Sequence, residues 1–212
     1  SIHALRDHFT SNDLMPISTR NSSKNLNYCY ESDLDHHIMY FQYNACIEMQ
    51  DTSLEQCFSD MMKEFTSDDG YTNLVIDIRW NNGGFRYLME NMLKKYKEQF
   101  KDKQINLMIG KNTYSSGYML IEDCYENCDH VKLYGEETGQ SIHNCTYARG
   151  LKLSSLPWLL YVPIAKGYEK MIVEKYGDVV KGVTPDVSVD QTYEDYMNGI
   201  DTVYQRIIDD IK

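Results

Sequence analysis

The stretch from Ile105 to Ile121, INLMIGKNTYSSGYMLI, most limits what this chain can fold into. Its apolar run, Ile105 to Ile109, stops at Gly110; small and polar residues with one tyrosine follow before a helical pattern begins. Gly117, Ile121, Cys124 and Cys128 recur at spacings of 4, 3 and 4, one face of a helix. A buried strand, a sharp turn and a helix starting near Ser115 account for this pattern. A serine at that junction is held at a sheet edge, beside first-turn N–H groups without intrahelical partners and a dipole that favours negative charge. An acyl-transfer nucleophile with part of its oxyanion hole needs those conditions. The plainer alternative makes Ser115 an N-cap, a position serine favours.

The rest of the chain supports a layered core. Ser1 to Ser32 is polar, with Pro16 and a Ser/Asn-rich run from Ser18 to Asn27, and reads as a loop-rich lead-in; the boundary with the core is set at residue 37. Ile38 to Cys46 is an aromatic-rich strand, and the spacing of Leu54, Cys57, Phe58, Met61, Met62 and Phe65 predicts a helix. Ser67 to Gly70 is a turn signal, and Leu74 to Ile78 reads as a strand covered on both faces. A helix over Tyr87 to Phe100, a short strand over Val131 to Tyr134, and further strands or a hairpin in Ser141–Leu153, Trp158–Ile164 and Val187–Val189 follow. Asp201 caps a last helix with Tyr204, Ile207, Ile208 and Ile211 on one side. Alternating strands and helices argue for an α/β core spanning residues 38–212.

Composition narrows the function classes. A net charge of −11 argues against nucleic acid as a partner, because phosphate binding needs a basic face. No apolar run is long enough to span a membrane. No signal peptide is recognisable, and a chain beginning at Ser1 without Met reads as a processed or excised piece. Six cysteines permit disulfides without requiring them. A zinc set of Cys124, Cys128, His143 and Cys145 lacks the paired short spacings of structural zinc sites. Asn21-Ser22-Ser23 and Asn144-Cys145-Thr146 fit the glycosylation sequon.

Asn81 to Gly84 ends one strand and Asn112 to Ser116 follows the next, so a parallel sheet brings both to one edge, where α/β sheets bind ligands. Gly83 or Gly84 could expose one oxyanion N–H, and Ser116 the second; a plain Asn-Gly turn is the alternative. Asp77 and Arg79 share a face of the strand end and read as a structural ion pair.

These residues also carry a resemblance. LVIDIRWNNGG, from Leu74 to Gly84, resembles the strand-and-glycine signature of the C-terminal processing, or tail-specific, serine peptidases. Thr113-Tyr114-Ser115-Ser116 resembles their nucleophile turn, Gly135 to Gly139 their "GE-x-TG" element, and Val183 to Val187 their closing "PDV" motif. YFQYNAC, from Tyr40 to Cys46, looks like the strand preceding the core in one bacterial branch. The match runs in order from Ile38 to Lys212 and lies closer to the tricorn and retinoid-binding-protein-like branch than to the PDZ-containing enzymes. It implies a Clp protease/crotonase-like α/β core with a mostly parallel sheet and flanking helices. It also implies peptide-bond hydrolysis through an acyl-enzyme on Ser115, with Gly83 and the Ser116 N–H as oxyanion donors, no cofactor, a peptide or protein substrate, and a location outside the cytoplasm.

The general base is not assigned by these motifs. The processing branch uses a lysine in the stretch after "GE-x-T", and Gly135 to Ser141 contains none. The tricorn-like branch takes a histidine from a segment upstream of the core, which is not found here. His36 and His37 precede a strand, His3 and His8 lie in the lead-in, and His130 reads as structural. His143 follows the "GE-x-TG" turn, and Lys111 is close to Ser115 in sequence. Glu174 and Asp178 stand where the tricorn-like branch places an acid, and Tyr118 occupies a position that is Glu in many members. Three readings follow: a peptidase core lacking an upstream segment, an inactive module that binds peptide or a small apolar ligand, and a crotonase-like enzyme acting on a thioester.

Overall fold

Alternation of side chains along five strands builds two cores on one sheet. The computed structural model describes residues 26–67, 70–167 and 169–212. The lead-in up to Asn25, with His3, His8 and the Asn21 sequon, therefore lies outside the described residues, as does the middle of the turn at Ser67–Gly70. The elements in chain order are β1 (Tyr28–Asp33), β2 (Ile38–Tyr43), α1 (Leu54–Phe65), β3 (Asn73–Asp77), α2 (Tyr87–Lys95), β4 (Gln104–Ile109), α3 (Ser116–Asn127) and β5 (His130–Gly135). They continue with β6 (Cys145–Lys152), β7 (Leu159–Lys166), α4 (Lys170–Tyr176), β8 (Val187–Ser188), α5 (Tyr193–Met197) and α6 (Thr202–Ile211).

The main sheet has the order β1-β2-β3-β4-β5-β8. β1 runs antiparallel to β2, and every later pair is parallel. The chain is thus α/β with a mostly parallel sheet and flanking helices. Met39, Phe41, Leu74, Ile76, Ile105 and Leu107 bury one face of the sheet against α1, α2 and α3. Ile38, Tyr40, Val75 and Met108 point the other way and bury Val203, Ile207 and Ile208 of α6. Because both faces are covered, the central strands read as continuous apolar runs. β6 and β7 form a separate two-stranded ribbon.

The observed elements differ from the sequence reading in several places. Tyr28–Asp33, inside the expected lead-in, is an edge strand; Tyr28 is its one fully buried residue, so its apolar signal is weak. β2 ends at Tyr43, because the N–H groups of Asn44 and Ala45 turn aside to the Asn27 carbonyl. The helix expected over Tyr87–Phe100 is α-helical to Lys95 and tightens to a 3-10 turn over Lys97–Phe100, which seats Phe100 in the core. The short helices α4 and α5 were not anticipated.

Candidate active site

Ser115 is the pivot between β4 and α3. Its backbone stands at φ 52°, ψ −126°, and His37 is the other described non-glycine residue with positive φ. Such a conformation costs on the order of 1–3 kcal/mol and persists only where its surroundings enforce it. Although Ser115 occupies the N-cap position, its side chain makes no capping bond, so the plain-cap alternative does not hold. Its N–H donates to Gln140 Oε1 at 2.5 Å, and its carbonyl accepts the Met119 N–H at 2.9 Å.

Two neighbouring residues enforce the turn. Thr113, fully buried, receives the Gly110 N–H on Oγ1 at 3.0 Å and donates to the Ile78 carbonyl at 3.0 Å. Asn81, also fully buried, ties three segments together. Its amide nitrogen donates to the Tyr43 carbonyl at 2.8 Å, its carbonyl accepts the Tyr114 N–H at 2.9 Å, and its Oδ1 accepts the Gly83 N–H at 2.8 Å. Gly117 permits this approach: a Cβ there would lie 2.6 Å from the Asn81 carbonyl oxygen. Gly83, at φ +101°, packs so closely on the serine that a Cβ would meet Ser115 Cβ at 2.5 Å and Oγ at 2.9 Å. The Ser116 hydroxyl donates to the Gly84 carbonyl at 2.8 Å and closes the gap between the two loops.

One expected donor is placed differently. The Gly83 N–H, read from sequence as an oxyanion donor, is committed to Asn81 Oδ1. The N–H groups of Gly84 and Ser116 have no hydrogen-bond partner among the described residues. Gly84, Ser115 and Ser116 line a cleft of about 1060 Å³, together with Phe85, Tyr87 and Met119. Arg86 and Glu169 also line it. Arg86 pairs with buried Asp123 at 2.5 Å; burial pushes the Asp123 carboxyl up to about 6, with Arg86 pulling it back down. Burial likewise raises the Glu169 carboxyl, opposed by the Asn144 amide nitrogen, which donates to it at 3.3 Å.

Solved structures share this architecture. A candidate peptidase from Parabacteroides merdae ATCC 43184 superposes with a TM-score of 0.61 at 16% identity, over 87% of this chain and 64% of that one. The tricorn protease matches with a TM-score of 0.58 at 17% identity, over 84% of this chain and 18% of that one. The fold is the one these peptidase structures share, a mostly parallel sheet with flanking helices. A candidate protease from Bacteroides fragilis NCTC 9343 also matches, with a TM-score of 0.51 at 15% identity over 82% of this chain and 54% of that one. The chain therefore spans less than two thirds of the length of each of these proteins. No protein-family model and no curated protein sequence matches it.

On this peptidase-like fold, the basic groups considered from sequence are scattered. His36 and His37 lie between β1 and β2, and exposed His130 opens β5, so all three sit at the sheet edge opposite Ser115. His36 is held by Asp33 at 2.8 Å. Exposed His143 pairs with Asp178 at 2.9 Å, and the Lys111 ammonium pairs with Glu136. Glu174 is exposed on α4, 3.8 Å from Lys170. Tyr118 is fully buried, and its hydroxyl has no hydrogen-bond partner among the described residues. From the turn where the processing branch carries its lysine, the side chain that reaches Ser115 is the amide Gln140.

Asp77 and Arg79 form the expected ion pair at 2.7 Å, and Asp201 joins them at 2.6 Å. Cys124 is buried on α3 and Cys145 is exposed; among the described residues no three His, Cys, Asp or Glu side chains gather as a metal site. The sequence reading did not single out Asn81, Gln140 or Glu169. Asn81 was visible only as part of a turn, and no local pattern marks Glu169.

Proposed function

We propose that this chain is the core of a serine-type endopeptidase in which Ser115 is the nucleophile. The observation that carries the reading is the backbone of Ser115. A strained serine at a strand-to-helix turn, free of capping duty and facing a cleft, has the geometry of a nucleophile elbow. Ser115 Oγ attacks the scissile carbonyl, and the carbonyl oxygen gains charge beside the N–H groups of Ser116 and Gly84. One such donor typically contributes on the order of a hundredfold or more in rate. The substrate is a peptide or protein segment laid along the cleft, with Phe85 and Tyr87 offering apolar surface. The proton acceptor comes from a segment of a longer protein, which the greater length of the matched structures supports.

Gln140 favours a second reading. An amide on the Ser115 N–H cannot take a proton, so the same cleft without a base is a peptide-binding module. Labelling with a fluorophosphonate probe, on this chain and on the full-length protein, each beside Ser115→Ala, separates the two. Labelling that Ser115→Ala abolishes supports the peptidase; labelling of the longer protein alone assigns the base to the added segment. If neither form labels, the peptidase reading falls and peptide binding to the cleft becomes the activity to measure.

A further inference from the structure

The ribbon of β6 and β7 carries a surface that the peptidase reading does not use. Each strand is eight residues long, and no third strand joins them among the described residues. An isolated hairpin is marginal in water. Yet from Arg149 to Tyr161 every residue but Leu153 is exposed, and the exposed side chains include Leu151, Leu156, Trp158, Leu159, Leu160 and Tyr161. The register sets their directions. Leu151 opposes Leu160, and directly opposed residues share a face. Leu159 and Tyr161 alternate with Leu160 and point to the other face. Both faces of the ribbon end are therefore apolar, whereas a protein surface docked on one face would leave the other in water.

We propose that the tip of this hairpin inserts into the interface of a phospholipid bilayer. Charge supports a lipid partner. Between Cys145 and Lys166 the chain carries Arg149, Lys152 and Lys166 and no acidic residue, although the whole chain has a net charge of −11. The dimensions agree as well. Trp158 to Tyr161 spans roughly 10 Å at ~3.3 Å per residue, close to the roughly 5–10 Å depth of interfacial insertion. Arg149 pairs with Val162, one step behind the apolar end, at the level of the headgroups. Trp and Tyr are the residues enriched at that boundary, and Lys152 reaches out along its stem. A strand of this length is roughly 26 Å, so with about 10 Å of it inserted the acidic body stands roughly 16 Å back, beyond a Debye length of about 8 Å at physiological salt, and its charge is screened from the membrane.

The test is flotation of the whole chain with phosphatidylcholine vesicles containing a minority of phosphatidylglycerol, read beside quenching of Trp158 by brominated lipid. The proposal expects co-flotation, quenching, and a drop of at least about tenfold in bound fraction for Leu156→Ser/Trp158→Ser/Leu160→Ser, whose positions are exposed. Because Trp80 is the chain's second tryptophan, Trp80→Phe assigns the quenching to Trp158 with the hairpin left intact. Absence of flotation, absence of quenching, or flotation unchanged by the substitutions overturns the proposal. Hairpin-dependent dimerisation in sedimentation, without vesicle binding, also overturns it and assigns the surface to a second copy of the chain.

Discussion

Gly83→Ala tests whether the loop after β3 holds the reacting serine. A Cβ at Gly83 would stand 2.5 Å from Ser115 Cβ, whereas carbon atoms settle at about 3.5–4.0 Å. One of the two loops must therefore yield by about 1 Å. A displacement of that size at a reacting group costs on the order of a hundredfold in rate. Backbone strain adds a separate effect: φ is +101°, and an L-residue there costs roughly 1–2 kcal/mol. At about 2–4 °C per kcal/mol for a chain of this size, the melting temperature falls by about 2–8 °C.

A control separates the two effects. Gly70 has φ +83°, but a Cβ there meets nothing nearer than His37 Nδ1 at 3.5 Å. Gly70→Ala carries a similar strain and no clash at the serine. In the form that labels, Gly83→Ala should slow fluorophosphonate labelling about a hundredfold, while Gly70→Ala loses melting temperature and labels at the normal rate. Normal labelling of Gly83→Ala, or an equal loss in both variants, refutes the reasoning that packing at Gly83 sets the position of Ser115.

Two further substitutions address the frame of the site. Arg79→Met strands the buried carboxylates of Asp77 and Asp201, which costs about 3–5 kcal/mol and lowers the melting temperature by about 6–20 °C; adding Asp77→Asn and Asp201→Asn should recover most of that loss in a thermal melt. Asp123 titrates near 6 in the fold against an ordinary value of 3.8. A carboxyl raised on folding stabilises most below its unfolded value, and that contribution is lost as pH rises through the folded one. The protein should therefore gain roughly 1–3 kcal/mol relative to Asp123→Asn between pH ~7 and ~4, read by chemical denaturation; parallel pH profiles would show that Asp123 is not the group responsible.

The legibility of the fold followed burial. β3 and β4 are covered on both faces, so their apolar runs located them, and the abrupt stop at Gly110 marked the turn to α3. β1 lies at an edge with one fully buried side chain, which leaves its sequence polar enough to pass for a loop. At the site, the meeting of the two loops was readable because parallel strands put their ends at one edge. The roles of the two glycines were not, because they depend on where the Asn81 side chain turns. Asn81 Oδ1 takes the Gly83 N–H, while the Gly84 N–H has no hydrogen-bond partner among the described residues, a difference that no spacing encodes. Gln140 was hidden for the same reason, since its contact with Ser115 bridges segments far apart in the chain.

The two readings of the cleft differ in what they ask of Ser115. Both use exposed N–H groups at a helix N-terminus, since a bound carboxylate and a developing oxyanion place the same charge in the same location. A binding module gains nothing from a strained serine. Relaxed into a normal cap, Ser115 would shed on the order of 1–3 kcal/mol of strain and gain about 1 kcal/mol from capping. Against a total stability of about 5–15 kcal/mol for a domain, that is a large sacrifice. The bonds made by Thr113 and Asn81, together with the room left by Gly83 and Gly117, hold the serine out of the relaxed state. What the strained backbone achieves is a serine side chain free of capping duty in the lining of the cleft, which supports the proposal that its oxygen reacts.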